Sequence, residues 1–373
     1  MTFTLTDEQI ELASAVSEFF AKRSPETEVR RLMDEGGAAD PTVWSQMTGQ
    51  LGLAGLIVPE AYGGGGFDFR DFALVAERAG AALVVAPLLS TVLAAAALTL
   101  STDDELKAAH LPGLASGDVV GALALAEHTG SWDSAAVQTT VEVGADGQAR
   151  VSGRKMYVVD GQFADLLVVS ARSPDGNVGL YLVHATSPEV SVTALQTLDL
   201  TRPQAQLEFA AAPARPLAGQ HDAGALIDRV LATASILLAA EQVGGAQRCL
   251  DMAVDYAKIR VQFGKPIGSF QAIKHKCADM LLDVESARSA AYYAAGVLDD
   301  DDDHEVFIAA ALANAHCSAA YTRVAAENIQ IHGGIGFTWE HPAHLYFKRA
   351  KTSELLFGDP ALQRERQATL VGI

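Results

Sequence analysis

The sequence is short of cysteine, of cationic side chains and of long apolar runs, and each shortage counts against a class of function. Three cysteines, Cys249, Cys277 and Cys317, occur in 373 residues. All lie in apolar, helix-like surroundings and no pair has the spacing of a metal site, so they read as free buried thiols in a reducing cytoplasm. Lys and Arg number 27 against 46 Asp and Glu, a net charge of −19. So acidic a surface disfavours nucleic acid and anionic membranes, although a local basic patch can still hold an anionic ligand. The longest apolar stretch, residues 81–100, is interrupted by Pro87 and diluted by Ser90 and Thr91, and reads as buried helix rather than a membrane span. The opening residues, MTFTLTDEQIELASAV, carry no basic segment followed by an apolar one and read as a helix start, not a targeting peptide.

Apolar residues are plentiful, at 49% of the chain, which is enough for a sizeable core. Residues 1–118 read as helical. Thr6 and Gln9 form a capping-box pattern ahead of Ile10, Leu12, Ala15, Val16 and Phe19 at helical spacing. A second helix is expected over residues 41–51. Four successive glycines at residues 63–66 lack the Lys-Ser/Thr and the strand–helix context of a phosphate cradle, and read as a helix connector. From Val119 the pattern turns to short alternating runs at 119–125, 149–159, 166–171, 178–184 and 206–209, with a turn at Ser152-Gly153. These predict a small antiparallel β domain over residues 119–222, closed by Pro213 and Pro216. From about Gly224 the 3.6-residue period returns, with three or four long helices over 226–297, 305–332 and 341–356. The acidic run at residues 299–303 reads as a solvated loop between helices. The expected fold class is α+β, mainly α: an N-terminal helical domain (1–118), a middle β domain (119–222) and a C-terminal helical bundle (223–373).

Two stretches carry chemistry. Residues 257–280 (AKIRVQFGKPIGSFQAIKHKCADM) read as helix, tight break and helix, with Arg260, Phe263, Gly264 and Gln271 at fixed offsets about the break. About 60 residues on, residues 327–337 read ENIQIHGGIGF. Together they resemble the flavin-binding signatures of the acyl-CoA dehydrogenase family. The segment Val58-Pro59-Glu60-Ala61-Tyr62-Gly63-Gly64 is similar to that family's P-E-x-x-G-G, and the resemblance spans essentially the whole chain. It implies the acyl-CoA dehydrogenase fold with a C-terminal four-helix bundle, FAD as cofactor, an acyl-CoA substrate and an electron-transfer flavoprotein as partner. It also implies α,β-desaturation: a carboxylate takes the α-proton and the β-hydrogen leaves as hydride to the flavin. Flavin contacts in the family are divided between subunits. By resemblance Arg260 pairs with the pyrophosphate of a neighbour's FAD, Phe263 packs on the cofactor and Gln271 hydrogen-bonds it. Gln330, Gly333 and Gly334 then let backbone approach the adenosine half. His332 and His341 read as structural hydrogen-bonding groups beside the second motif.

The half of the site that would hold the chain's own flavin departs from the family pattern. Where T-E-P…G-S-D is usual the sequence has Ala126-Glu127-His128-Thr129-Gly130-Ser131-Trp132-Asp133, so Ser131 remains but Ala126 replaces a hydroxyl donor. Where W-I-T/S-N is usual it has Tyr157-Val158-Val159-Asp160, and Val159 replaces a second donor. The commoner catalytic glutamate falls at Phe357, in Leu356-Phe357-Gly358-Asp359, and the alternative glutamate position, nine residues before Val243-Gly244, is Ala234. Glu241 and Asp359 are the remaining candidates for a base. The preferred reading is the base-lacking subunit of an α2β2 acyl-CoA dehydrogenase of the kind that acts on bulky, steroid side-chain-like thioesters in actinobacteria. The alternatives are a homotetramer with a relocated base and a non-catalytic acyl-CoA-binding or scaffold protein. A cytoplasmic location is expected in each case.

Overall fold

The computed structural model describes residues 5–217, 223–299 and 302–373. Within them the chain is mainly helical, with one larger sheet. The elements in order are α1 (Asp7–Arg23), α2 (Glu26–Asp34), α3 (Pro41–Ser45), α4 (Phe69–Ala81), α5 (Leu88–Thr99) and α6 (Asp104–Ser116). Strands β1 (Gly121–Ala124), β2 (Thr140–Val143), β3 (Ala149–Val159), β4 (Leu166–Arg172), β5 (Val178–His184), β6 (Val190–Ala194) and β7 (Gln204–Pro216) follow. The chain then runs through α7 (Ala223–Ile259), β8 (Val261–Gln262), β9 (Lys265–Pro266), α8 (Gln271–Val297), α9 (Asp303–His332), α10 (Ala343–Leu355) and α11 (Pro360–Val371). Contacts group these into two compact units. One holds the segment ending at Arg31, Phe69–Val84 and Ser235–Ile373; the other holds Leu32–Asp68 and Val85–Ala234.

In the first unit α9 is the central element, packed against α8, α10 and α11. Its inner face is largely alanine, with Ala309, Ala310, Ala313, Ala320 and Ala325 all buried, and side chains this small let helices approach closely. Closer still is the crossing of α4 and α7. A Cβ on Gly80 would sit 1.9 Å from the carbonyl oxygen of Glu241, and one on Gly244 would sit 1.7 Å from that of Glu77. The two backbones touch, and any larger residue at either position would force the helices apart. α1 begins as the sequence predicts: the Thr6 hydroxyl accepts from the Gln9 N–H and the Gln9 side chain accepts from the Thr6 N–H.

The second unit is built on a seven-stranded sheet whose core includes Val151, Leu167, Val169, Val183, Leu207 and Phe209. Most neighbours run antiparallel, but β1 pairs with β4 in parallel, as does the end of β2. That differs from the wholly antiparallel sheet expected. The β2–β3 hairpin lies between β1 and β4 in the chain and supplies the long crossover that a parallel pair requires. Ser152-Gly153 is not a turn. It is a register shift inside the continuous strand β3, with Gly153 at φ 143°. Nor do Pro213 and Pro216 lie beyond the sheet, because both belong to the end of β7. Residues 41–51 form one α turn continued by a π turn, and β6 was not expected from the sequence.

Asp300 and Asp301, in the acidic run read as a solvated loop, lie outside the described residues, as does the expected domain boundary at residue 222. Asp302 caps α9, its carboxylate accepting from the His304 and Glu305 N–H groups.

Candidate functional site

The Arg260 segment is a hairpin inserted between two long helices. α7 stops at Ile259, β8 and β9 pair across the turn, and the Ile267 N–H closes it on the Arg260 carbonyl at 2.8 Å. A two-residue hairpin turn of this hand needs positive φ at both central residues, and they are Phe263 (52°) and Gly264 (76°). Glycine is at ease there, whereas a phenylalanine is strained. Phe263 is 90% exposed, and the Phe270 ring lies edge-on to it at 6.0 Å. Arg260 and Gln271 are exposed as well, and Arg260 has no carboxylate partner among the described residues. Lys265 adds a second cation, 4.5 Å above the Phe270 ring.

The second motif ends α9. Gln330 is exposed on the last turn. Gly333 stops the helix at φ 64°, ψ −139°, a conformation that side chains do not adopt, and its N–H closes on the carbonyls of Gln330 and Ile329. Around both Gly333 and Gly334 the position of a Cβ is open space, so backbone there is free to meet a ligand or another chain. Behind this segment stands a column of rings. His332 stacks on Tyr256 at 4.3 Å and meets His341 at 4.2 Å, while its Nδ1 lies 2.9 Å from the Asn328 carbonyl oxygen. Burial lowers the pKa of His332. His341 is lowered too, by burial first and then by the neighbouring His332. Both therefore stay neutral near pH 7 and act structurally.

The first unit exposes several large apolar side chains on and beyond the two motifs. Ile259, Val261, Leu281, Leu282, Ile335, Phe337 and Trp339 are all exposed, Phe337 at 82% and Leu282 at 70%. So many large apolar side chains on one unit mark a surface made for contact.

The β-domain segment is built otherwise. Tyr157 also has a positive φ, 55°, but it sits between the paired residues Lys155 and Val158 of β3 and lies close to Gly130. Ser131 is half-buried, its Oγ accepting from the Asp133 N–H with its own proton free to donate. Ala126 is fully buried and its carbonyl accepts from the Met156 N–H. Beneath lies a group that the sequence reading missed. Lys155 is fully buried, and its ammonium donates to Glu127 at 2.6 Å, Ser170 at 2.8 Å and the Leu125 carbonyl at 3.1 Å. All three protons are used, which is what makes a buried cation tolerable. Burial pushes the ammonium down to about 8 against the pull of Glu127, whose own carboxyl is held low by Lys155 and the Thr139 N–H despite its burial. Strand parity alone did not mark it: Gly153 and Tyr157, two residues either side at the same parity, are exposed, and the register shifts on both sides of Lys155.

The candidate base positions are occupied as follows. Phe357 is buried at φ 61°, and its carbonyl accepts from Gln363 Nε2 at 2.8 Å. Ala234 is fully buried. Glu241 is buried and paired with Arg349 at 2.8 Å. Asp359 is the N-cap of α11, its carboxylate accepting from the Ala361 and Leu362 N–H groups. Among the described residues no group of His, Cys, Asp and Glu could hold a metal ion, and no helix is long and apolar enough to cross a membrane.

Comparison with known proteins places this arrangement. A family model described as acyl-CoA dehydrogenase, N-terminal domain, matches residues 6–118, and one described as acyl-CoA dehydrogenase, C-terminal domain, matches residues 224–371. The chain belongs to the acyl-CoA dehydrogenase family. Acyl-CoA dehydrogenase IpdE2 of Mycobacterium tuberculosis is 36% identical over 358 residues, covering 96% of this chain and 95% of its own. Among solved structures, a variant of the Tcur3481-Tcur3483 steroid acyl-CoA dehydrogenase superposes with a TM-score of 0.90 at 31% identity, over 99% of this chain and 98% of that one. The ChsE4-ChsE5 complex of Mycobacterium tuberculosis does so with a TM-score of 0.90 at 29% identity, over 100% of this chain and 99% of that one. FAD is the acyl-CoA dehydrogenase cofactor, and the open glycines, the free guanidinium and the exposed ring of the hairpin fit such a group. The β-domain segment fits it less well, because Ala126 and Val159 offer no side-chain donor.

Proposed function

We propose that this chain is the base-lacking subunit of a heteromeric α2β2 acyl-CoA dehydrogenase, and that its hairpin and Gly-rich segment complete the FAD site of a second, glutamate-bearing subunit. The observation that carries this reading is the division of the parts. The segments that reach toward a neighbour are complete and exposed, while both base positions hold buried apolar side chains, Phe357 and Ala234. A relocated base is less well supported. Glu241 is neutralised by Arg349, and the Asp359 carboxylate is committed to a helix cap.

In this reading Arg260 binds the pyrophosphate through its planar fork and Phe263 covers the cofactor. Gln271 and Gln330 hydrogen-bond it, and the backbone at Gly333 and Gly334 approaches where a Cβ would obstruct. Ser131 and Tyr157 remain for any flavin held by this chain's own sheet. FAD bound at the shared site supplies the hydride acceptor for α,β-desaturation of an acyl-CoA thioester. The α-proton would go to the partner subunit's carboxylate, because both base positions of this chain, Phe357 and Ala234, are apolar. Exposed apolar residues around both motifs would be covered by that partner. An electron-transfer flavoprotein is the electron acceptor. The similarity to a steroid acyl-CoA dehydrogenase and to IpdE2 supports a bulky, steroid side-chain-like acyl group as substrate.

Purification of the chain alone and together with a glutamate-bearing family member tests the proposal. The pair is expected to be yellow and to desaturate an acyl-CoA, and the lone chain to do neither. A lone chain that held one FAD per polypeptide and desaturated acyl-CoA would return the homotetramer reading, in which Glu241→Gln or Asp359→Asn should then abolish activity. A colourless, inactive pair would favour an acyl-CoA-binding or scaffold role.

A further inference from the structure

A half-open cavity of about 390 Å³ lies wholly within the first unit, bounded by α1, α2, α4, α7 and α10. Its volume is in the range of small-molecule sites. None of the residues read as flavin-binding or base positions lines it. Phe20, Met252 and Leu345 give it an apolar wall, and Arg78 and Arg248 bring two guanidiniums to it.

The charge there is unusual for this chain. With a net charge of −19, carboxylates are abundant, yet Arg248 pairs with none of them among the described residues and lies against the Tyr346 hydroxyl instead. Arg78 reaches Glu77 at 3.2 Å, but that carboxylate also faces Arg288 at 3.4 Å and the Tyr292 hydroxyl. Arg288 is also held by Glu285, so Arg78 has Glu77 as its one carboxylate partner among the described residues. The carboxylate lining the cavity, Glu26, is itself taken by Arg30 at 2.8 Å. Of the charged side chains lining the cavity, Arg248 alone is left without an opposite charge among the described residues.

A second, independent observation concerns its rim. α4 ends in a paired-turn stop, with the Leu83 N–H on the Gly80 carbonyl and the Val84 N–H on the Ala79 carbonyl. The residue in the left-handed conformation of such a stop is usually glycine. Here it is Leu83, at φ 48°, with its side chain buried in the cavity lining. A bulky residue held in a strained conformation is retained where its side chain is needed.

We infer that this cavity is a second binding site, distinct from the flavin and acyl-CoA chemistry, for a small monoanionic carboxylate with an apolar body. The carboxylate would sit on Arg248 and Arg78, whose forks match it, and the body would lie on Leu83, Phe20 and Leu345. With Arg78 already paired to Glu77, Arg248 offers one unmatched positive charge, which suits a carboxylate better than a phosphate monoester. The inference does not depend on the heteromer reading.

Calorimetric titration of the full-length protein with sodium octanoate tests it, with octanamide as the neutral isostere. Octanoate is expected to bind once per chain and at least tenfold more tightly than octanamide. Arg248→Met should weaken it at least tenfold without lowering the thermal midpoint, and Arg248→Lys should recover part of the loss. Leu83→Gly, which relieves the backbone, should weaken octanoate while leaving the protein as stable or more so. Absence of octanoate binding, equal binding of the amide, or unchanged affinity in Arg248→Met would each overturn the assignment.

Discussion

Phe263 and Tyr157 are both aromatic residues in the left-handed region, at φ 52° and 55°, and both fall in segments that resemble flavin-binding signatures. Their surroundings are opposite. Tyr157 is held within a seven-stranded sheet, between the paired residues Lys155 and Val158 and over a sealed ion pair. Phe263 stands at the tip of a two-stranded hairpin with 90% of its surface in solvent and an open backbone beside it. Strain of one to a few kcal/mol persists only where something over-determines it. For Tyr157 that something lies within this chain. For Phe263 the described residues offer only the edge of Phe270, and under the proposed function the compensating contact comes from the subunit that covers the hairpin. One region carries its own support, and the other is the one that the proposed partner would cover.

Several substitutions would break or sharpen that contrast. The largest effect is expected beneath the sheet. Lys155→Met leaves Glu127 buried without its cation and should cost about 3–5 kcal/mol of stability in urea unfolding. The double variant Lys155→Met, Glu127→Leu should recover most of that loss; if it does not, the pair is more than a local device. A smaller, pH-dependent effect is expected behind the Gly-rich segment. His332 and His341 have folded pKa values below their ordinary 6.5, so the unfolded chain binds more protons than the folded one as pH falls through that window. Stability is therefore complete above pH 6.5 and declines below it. Unfolding at pH 5.5 and 7.5 should show the drop, and His332→Gln should flatten it. The smallest effect is on the hairpin itself. Phe263→Asn, which tolerates the left-handed region, should stabilise the isolated chain by about 0.5–1 kcal/mol in thermal unfolding while weakening flavin binding in the complex. A loss of stability there would mean that the Phe263 ring is supported within the chain after all.

The order of helices, sheet and helices was legible because each rests on local periodicity, and the start of α1 because its cap spans three residues. What was not legible depends on distant partners. The parallel pairing of β1 with β4 joins Gly121 to Leu166 and leaves no local mark. The same holds for the pairing of Glu241 with Arg349, although a buried glutamate on that helix was bound to need a cation. Arg260, Phe263, Gln271, Gln330, Gly333 and Gly334 were singled out by the resemblance to the family's signatures; local geometry alone calls for glycine only at Gly264 and Gly333, where φ is positive. Lys155 was overlooked because a lysine in a strand is usually taken for its solvent face.

Under the proposed function, Arg260 serves a cofactor shared with another polypeptide. The direct measurement is flavin content and desaturation rate of the co-purified complex carrying Arg260→Ala in this chain alone, with the glutamate-bearing partner intact. Loss of a charge-assisted contact worth roughly 1.5–3 kcal/mol should cut flavin retention and rate about 10- to 100-fold, although the altered residue is not on the chain bearing the base. Full colour and full activity in that complex would contradict the account.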